Sequence, residues 1–151
     1  MIGALDATEI ERLLRLQQIG RLGVMGDDKP YIFPVAYGYD GNAIFIHSHV
    51  GDYGGLKVQL MRKHPVVCFE VEDITSPTEW RTVITHGTFV ELTTEEERDA
   101  ALAAILAQGE QPYAPSIAPY RGGPDQIVVY AIRLTDKTGR YERDEVLQGS
   151  A

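Results

Sequence analysis

Residues 44–62 read IFIHSHVGDYGGLKVQLMR, and the order of elements inside this stretch decides the fold. Ile44, Phe45 and Ile46 form a short apolar run directly behind the turn signal Asp40-Gly41-Asn42, which reads as a strand. Three polar residues close that strand: His47, Ser48 and His49. A loop holding Gly51, Gly54 and Gly55 follows, then a helix-like stretch with Leu56, Leu60 and Met61 on its apolar side. Lys57 therefore falls in the first turn of a helix. Backbone N–H groups, a hydroxyl and a lysine converging at one place make the outline of a phosphate site. A cation there opposes the helix dipole, so a nearby anion would offset the cost. The same residues also fit a solvated lysine beside an ordinary glycine loop, since Gly-Gly-x-Lys is a weak signal on its own.

Working outward, 151 residues with 44% hydrophobic and 24% charged side chains are enough for one domain with a real core, read here as a single domain over 1–151. A formal charge of -8 argues against nucleic acid or an anionic membrane surface as a partner, because both need a basic footprint. It says nothing against a local anion pocket. The single cysteine, Cys68, lies in the apolar run 66–71 and reads as a buried small hydrophobe. With one cysteine no intrachain disulfide can form, which fits a reducing compartment. No signal segment and no apolar run long enough to span a membrane is visible, so a cytoplasmic, soluble protein is expected.

The spacing predicts a helix over 6–18, with Asp6 and Glu9 placed as a capping box and Ile10, Leu13 and Leu14 on one face. Strands are expected at 21–26, 31–39 and 43–48, joined by turns short enough to require antiparallel neighbours. Pro34 removes a ladder donor from the second of these, which places it at an edge, a bulge or a bend. After the 56–64 helix, Pro65 opens a fourth strand over 66–72, and 80–92 forms a long fifth. A helix over 94–108 with Leu102, Ile105 and Leu106 apolar, a long loop over 109–123, a last strand at 127–134 and a polar tail complete the chain, the tail frayed from about 142. The expected class is mainly β: a six-stranded antiparallel barrel with flanking helices, closed to dispose of its edges.

Candidate chemistry is sparse. His47 and His49 share a strand face and His86 sits on another strand, but no acid or cysteine stands at customary zinc spacing, and no metal is expected. Ser48 has no nucleophile elbow around it. The dinucleotide and phosphate-loop fingerprints are missing. What remains is an anion site at Ser48 and Lys57, strand backbone from Phe33 to Val35, and a polar handle from Arg81 or Thr82. These are the parts a flavin mononucleotide needs: donors for the phosphate, and an apolar slot with backbone groups for the ring.

The ordered set Gly20-Arg21-Leu22-Gly23-Val24, Phe33-Pro34-Val35, Ile44-Phe45-Ile46-His47-Ser48, Leu56-Lys57, Met61-Arg62-Lys63-His64-Pro65, Val67-Cys68-Phe69-Glu70-Val71, Trp80-Arg81-Thr82-Val83-Ile84 and Thr138-Gly139-Arg140 resembles the pyridoxamine 5′-phosphate oxidase-like superfamily of FMN-binding split barrels. Within it, the chain is similar to the small nitroimidazole-reductase-like flavin-nucleotide-binding proteins. The resemblance implies a split barrel, a homodimer with FMN in the groove between its subunits, and electron transfer from a reduced nicotinamide to a small organic acceptor. It implies that Ile32, Phe33, Pro34 and Val35 meet the ring, that His47, Ser48 and His49 approach the ribityl chain and phosphate, that Lys57 binds the phosphate, and that Arg81 and Thr82 reach the flavin edge. Relatives often carry a basic residue directly before the lysine. Here Leu56 stands there, which removes one charge-assisted bond of about 1.5–3 kcal/mol unless Arg62, Lys63 or His49 replaces it. The basic carboxyl-terminal segment of true pyridoxamine phosphate oxidases is also missing, so that particular activity is not expected. The alternatives on the same barrel are a non-catalytic flavin carrier or sensor, and a haem or deazaflavin binder.

Overall fold

The computed structural model describes residues 1–49, 55–109 and 127–144. The glycine loop before Gly55, the rest of the long loop after Gly109 and most of the tail lie outside the described residues. The element order is β1 (Ile2–Ala4), α1 (Ala7–Leu16), β2 (Ile19–Met25), β3 (Pro30–Ala36), β4 (Gly38–Tyr39), β5 (Ala43–His49), α2 (Gly55–Lys63), β6 (Val66–Ser76), β7 (Glu79–Glu91), α3 (Glu95–Gly109) and β8 (Ile127–Glu142). Every pairing is antiparallel. The strands form one sheet in the order β3-β2-β6-β7-β8-β5-β4, with β1 added on β8.

That order carries the architecture. β3 and β4 are the two ends of the sheet, yet only Tyr37 separates them in the chain. With consecutive Cα atoms 3.8 Å apart, the two ends must lie side by side, and the sheet has to curl to bring them there. Tyr37 fixes the junction. Its N–H donates to the Gln18 carbonyl (3.3 Å), its hydroxyl donates to the Leu14 carbonyl (2.6 Å), and its buried ring meets Phe69 edge-on at 4.9 Å. The result is a split barrel, as expected, with eight strands among the described residues rather than six. The predicted 31–39 strand is cut in two at Tyr37, and the three-residue β1 adds another. β6 and β8 also run beyond their expected ends, to Ser76 and Glu142. Pro34 lies on an edge strand, one of the positions where a strand tolerates proline. The expected turn before β5 forms around Gly41, whose φ of +100° suits glycine, while Asp40 Oδ1 accepts from the N–H groups of Asn42 and Ala43.

Inside the curl, Leu22, Val24, Ile44, Ile46, Phe69, Val71, Val83, Tyr130 and Ile132 form the core with Leu13 and Leu14 of α1 and Val58 and Met61 of α2. α1 begins with the predicted capping box: Asp6 Oδ1 accepts from Glu9 N–H, and Glu9 Oε2 accepts from Asp6 N–H. Its far end is capped from a distance. Gln108 Nε2 reaches the carbonyls of Leu14, Arg15 and Gln17 at 2.9, 3.0 and 2.6 Å. α3 packs a second cluster, Ala101 with Ala43, Ile127, Val129 and Ala131, on the other face of β5 and β8. Of the apolar residues read on this helix, Ile105 is buried and Leu106 is exposed, and Gln108 takes an inward position. Among the described residues no helix is long and apolar enough to cross a membrane.

Contact between α3 and β4 depends on Gly38, where an added Cβ would lie 2.5 Å from the backbone of Ala104 and Ile105. Backbone cannot step aside as a side-chain tip can, so Gly38→Ala should cost about 1–3 kcal/mol in urea unfolding. Gly55→Ala, with its nearest neighbour at 3.6 Å, should change stability by less than about 0.5 kcal/mol.

Candidate functional site

Among the described residues β3 has a strand partner on one side only, which leaves backbone donors and acceptors along 30–36 on its other side available. β3 alternates. Phe33 and Val35 turn towards the core, while Ile32 and Pro34 face solvent on the outer side. α2 packs against β2 and β5, with Val58 and Met61 fully buried beneath it. Burial of two such side chains is worth about 1.5–3 kcal/mol each, more than any exposed charge pair could add. Lys57, one residue before Val58, is thereby laid over the ring of Phe33, 5.4 Å from its centroid. The first turn of α2 carries no acidic residue, so Lys57 and the positive helix end act in the same direction.

The other cations of α2 are occupied elsewhere. Arg62 makes a two-pronged contact with Glu91 of β7 (3.0 and 2.6 Å). Lys63 and His64 both hold Asp27 in the β2–β3 turn (2.8 and 2.9 Å), and Asp27 is held below the usual carboxylate range, first by Lys63 and then by His64. Neither Arg62 nor Lys63 replaces the basic residue that Leu56 displaces. Both tie the far end of the helix to the sheet.

Other sequence-chosen residues separate by face and by strand. Ser48 is turned into the barrel, where its hydroxyl and that of Tyr130 are 3.0 Å apart. His47 and His49 share the opposite face of β5, the face that carries Phe45. Burial, helped by the nearby charge of His49, lowers the pKa of His47, so it favours the neutral form. His86 is not on a strand next to β5, since β8 intervenes, and its Nδ1 lies 2.8 Å from Asp136. Among the described residues no group of three or more metal-ligating side chains is assembled. Arg81 binds Asp73 (2.6 Å) and lines a polar pocket of about 190 Å³ with Trp80 and Arg143. Thr82 donates to Glu70 (2.9 Å). β7 lies three strands from β3 along the sheet, about 14 Å at the usual spacing, so Arg81 and Thr82 are not on a strand next to Phe33.

Sequence reading passed over Glu70. It stands on the outer face of β6, in the row Pro34, Arg21, Glu70, Ile84 across β3, β2, β6 and β7. Its Oε2 accepts from Thr82, and its Oε1 is enclosed without a donor among the described residues. Burial, with the neighbouring Glu72 carboxyl, pushes its pKa up to about 7, against the pull of Thr82 and Arg21. Glu72 itself pairs with Arg21 at 3.3 Å. The available signal was two glutamates two apart on a strand otherwise rich in apolar residues. Around them the outer face is apolar and exposed: Ile32 at 74%, Val66 at 67%, Met25 at 54% and Ile84 at 43%. A groove of about 390 Å³ runs across it over Gly23, with Cys68 half-exposed in its wall rather than buried.

The sequence profile described as pyridoxamine 5′-phosphate oxidase matches residues 6–141. An uncharacterised protein of Rhizobium meliloti is 28% identical over 91 residues, 60% of this chain and 58% of that protein, so the match spans little more than half of that relative. Among solved structures, an FAD-binding protein of Mesorhizobium loti is similar with a TM-score of 0.72 at 24% identity, over 95% of this chain and 98% of that one. A 5-nitroimidazole antibiotic resistance protein of Bacteroides thetaiotaomicron gives 0.74 at 18% identity, over 93% and 87%. An FAD-binding protein of Mycobacterium smegmatis gives 0.68 at 19%, over 93% and 99%.

Because the folded pKa of Glu70 lies above its unfolded value, its penalty is absent below about pH 4.5, grows to about pH 7 and is constant above. Glu70→Gln should therefore be more stable than the parent at about pH 8, by about 1 kcal/mol after discounting for exposure, and equal to it at about pH 4.5. Urea unfolding at the two pH values checks this.

Proposed function

The chain belongs to the pyridoxamine 5′-phosphate oxidase family, and on that premise we propose that it binds flavin mononucleotide and works as an FMN-dependent oxidoreductase. The observation that carries the reading is Lys57, in the first turn of α2, over Phe33 of the strand that ends the sheet. A single lysine at a positive helix end suits a single phosphate. The unpaired backbone of β3, flanked by the apolar Ile32 and Pro34, suits the polar edge and the flat body of the ring. His47 and His49, on the face of β5 that carries Phe45, are close in sequence to the α2 turn, and we assign them to the ribityl side; Ser48 faces the other way, into the barrel.

Arg81 and Thr82 join this site through a second copy of the chain. The exposed apolar face of β2, β3, β6 and β7 is larger than scattered single residues would explain and is the surface we assign to a homodimer. Across that seam, β7 of one protomer would meet the ring held on β3 of its partner.

When bound, the flavin supplies the hydride and electron chemistry between a reduced nicotinamide and a small organic acceptor. The residues of this chain bind, orient and dry it. Lys57 neutralises the phosphate, β3 backbone aligns the ring, and the apolar outer residues exclude water. Family membership does not carry the oxidation of pyridoxamine phosphate with it, because the substrate groups for that reaction are a separate matter from the cofactor slot.

Absorbance of the purified protein tests cofactor class: flavin bands support the reading, and a Soret band would point to haem instead. Anaerobic bleaching by reduced nicotinamide distinguishes an enzyme from a flavin carrier. Lys57→Ala should weaken FMN binding about tenfold or more in a fluorescence titration, since it removes a charged phosphate partner. Unchanged affinity would remove Lys57 from the site.

A further inference from the structure

A chain with a formal charge of -8 repels its own copy unless the meeting surfaces cancel their charge locally. The outer face of β2, β3, β6 and β7 comes close to doing so. Glu72 is held by Arg21, and much of the rest of the face is apolar. Glu70 is the exception. It makes no ion pair among the described residues, and it sits at the centre of the row that runs from Pro34 to Ile84. The groups facing it are Arg21 from β2, Glu72 from β6, Thr82 and His86 from β7, and Arg140 from β8, paired to Thr82 in the register. An ionised carboxylate pressed between two apolar surfaces is strongly disfavoured, whereas a neutral carboxyl can donate a hydrogen bond there.

We propose that Glu70 is a proton-controlled latch on self-association: with its carboxyl neutral this face docks on a second copy of the chain, and with it ionised the docking weakens. The inference rests on the dimer reading above and adds its regulation. The folded monomer already holds Glu70 near neutrality, so the switch lies within reach of ordinary changes in pH. Burial in a seam favours the protonated form further, so the dimer binds more protons than two monomers and tightens as pH falls.

Sedimentation velocity of the full chain at a series of concentrations and fixed ionic strength reads this directly. The dimer dissociation constant should be about tenfold or more lower at about pH 6 than at about pH 8.5. Glu70→Gln should be insensitive to pH across that range and as tight at pH 8.5 as the parent at pH 6. Glu72→Gln, which removes the like-charged neighbour and frees Arg21, should move the midpoint to lower pH, and it keeps the test alive if Glu70→Gln does not fold. A parent dimer with constant affinity over the range overturns the latch and leaves the dimer standing. Dependence that survives in Glu70→Gln and disappears in His86→Gln overturns it in favour of the histidine. A monomer at every pH and concentration overturns the dimer reading and the latch together.

Discussion

One residue between two sheet ends governs this molecule. Tyr37 joins β3 to β4, the first and last strands of the sheet path, so the sheet cannot lie flat. Its hydroxyl and N–H anchor the junction to the end of α1, and its ring is sunk against Phe69. Curling encloses the core and at the same time leaves the barrel split, because two ends joined by a single residue run out of partners on either side. The open side of β3 follows from the same arrangement that makes the core. Fold and candidate site therefore share one cause.

A second consequence concerns α2. Buried Val58 and Met61 set where the helix lies, and its exposed ion pairs, each worth about 0–1 kcal/mol, set how it is turned. All of those pairs are at the carboxyl end, where cations also favour the helix dipole. The amino end keeps Lys57, pointed at Phe33. Positive charge on this helix is thus divided between a structural end and the end we propose for binding, in a protein that is otherwise acidic.

Local features were legible from the sequence. The Asp6–Glu9 capping box, the Ile10-Leu13-Leu14 face, the Asp40-Gly41 turn and the three helices each depend on residues within a few positions of one another, and each is present. What stayed hidden depends on distant partners. Nothing near Tyr37 announces that it ends one strand and begins another, because its anchors are Leu14 and Gln18. Gln108 reads as an exposed helix residue until it is seen holding three carbonyls of another element. At the candidate site the same division holds. Lys57 stood out by its place in a first turn, whereas its contact with Phe33, the inward turn of Ser48 to Tyr130 and the employment of Arg62 and Lys63 needed the tertiary arrangement. Glu70 escaped notice because only its cross-strand neighbours make it unusual.

We propose that the Lys57 turn, laid over Phe33 at the end strand of the sheet, holds the phosphate of a flavin. Comparing FMN with riboflavin, which differ only in that phosphate, in parallel fluorescence titrations of the unmodified protein tests it most directly. The account predicts that FMN binds at least about tenfold more tightly than riboflavin. Equal affinity for the two, or binding of neither, would contradict it.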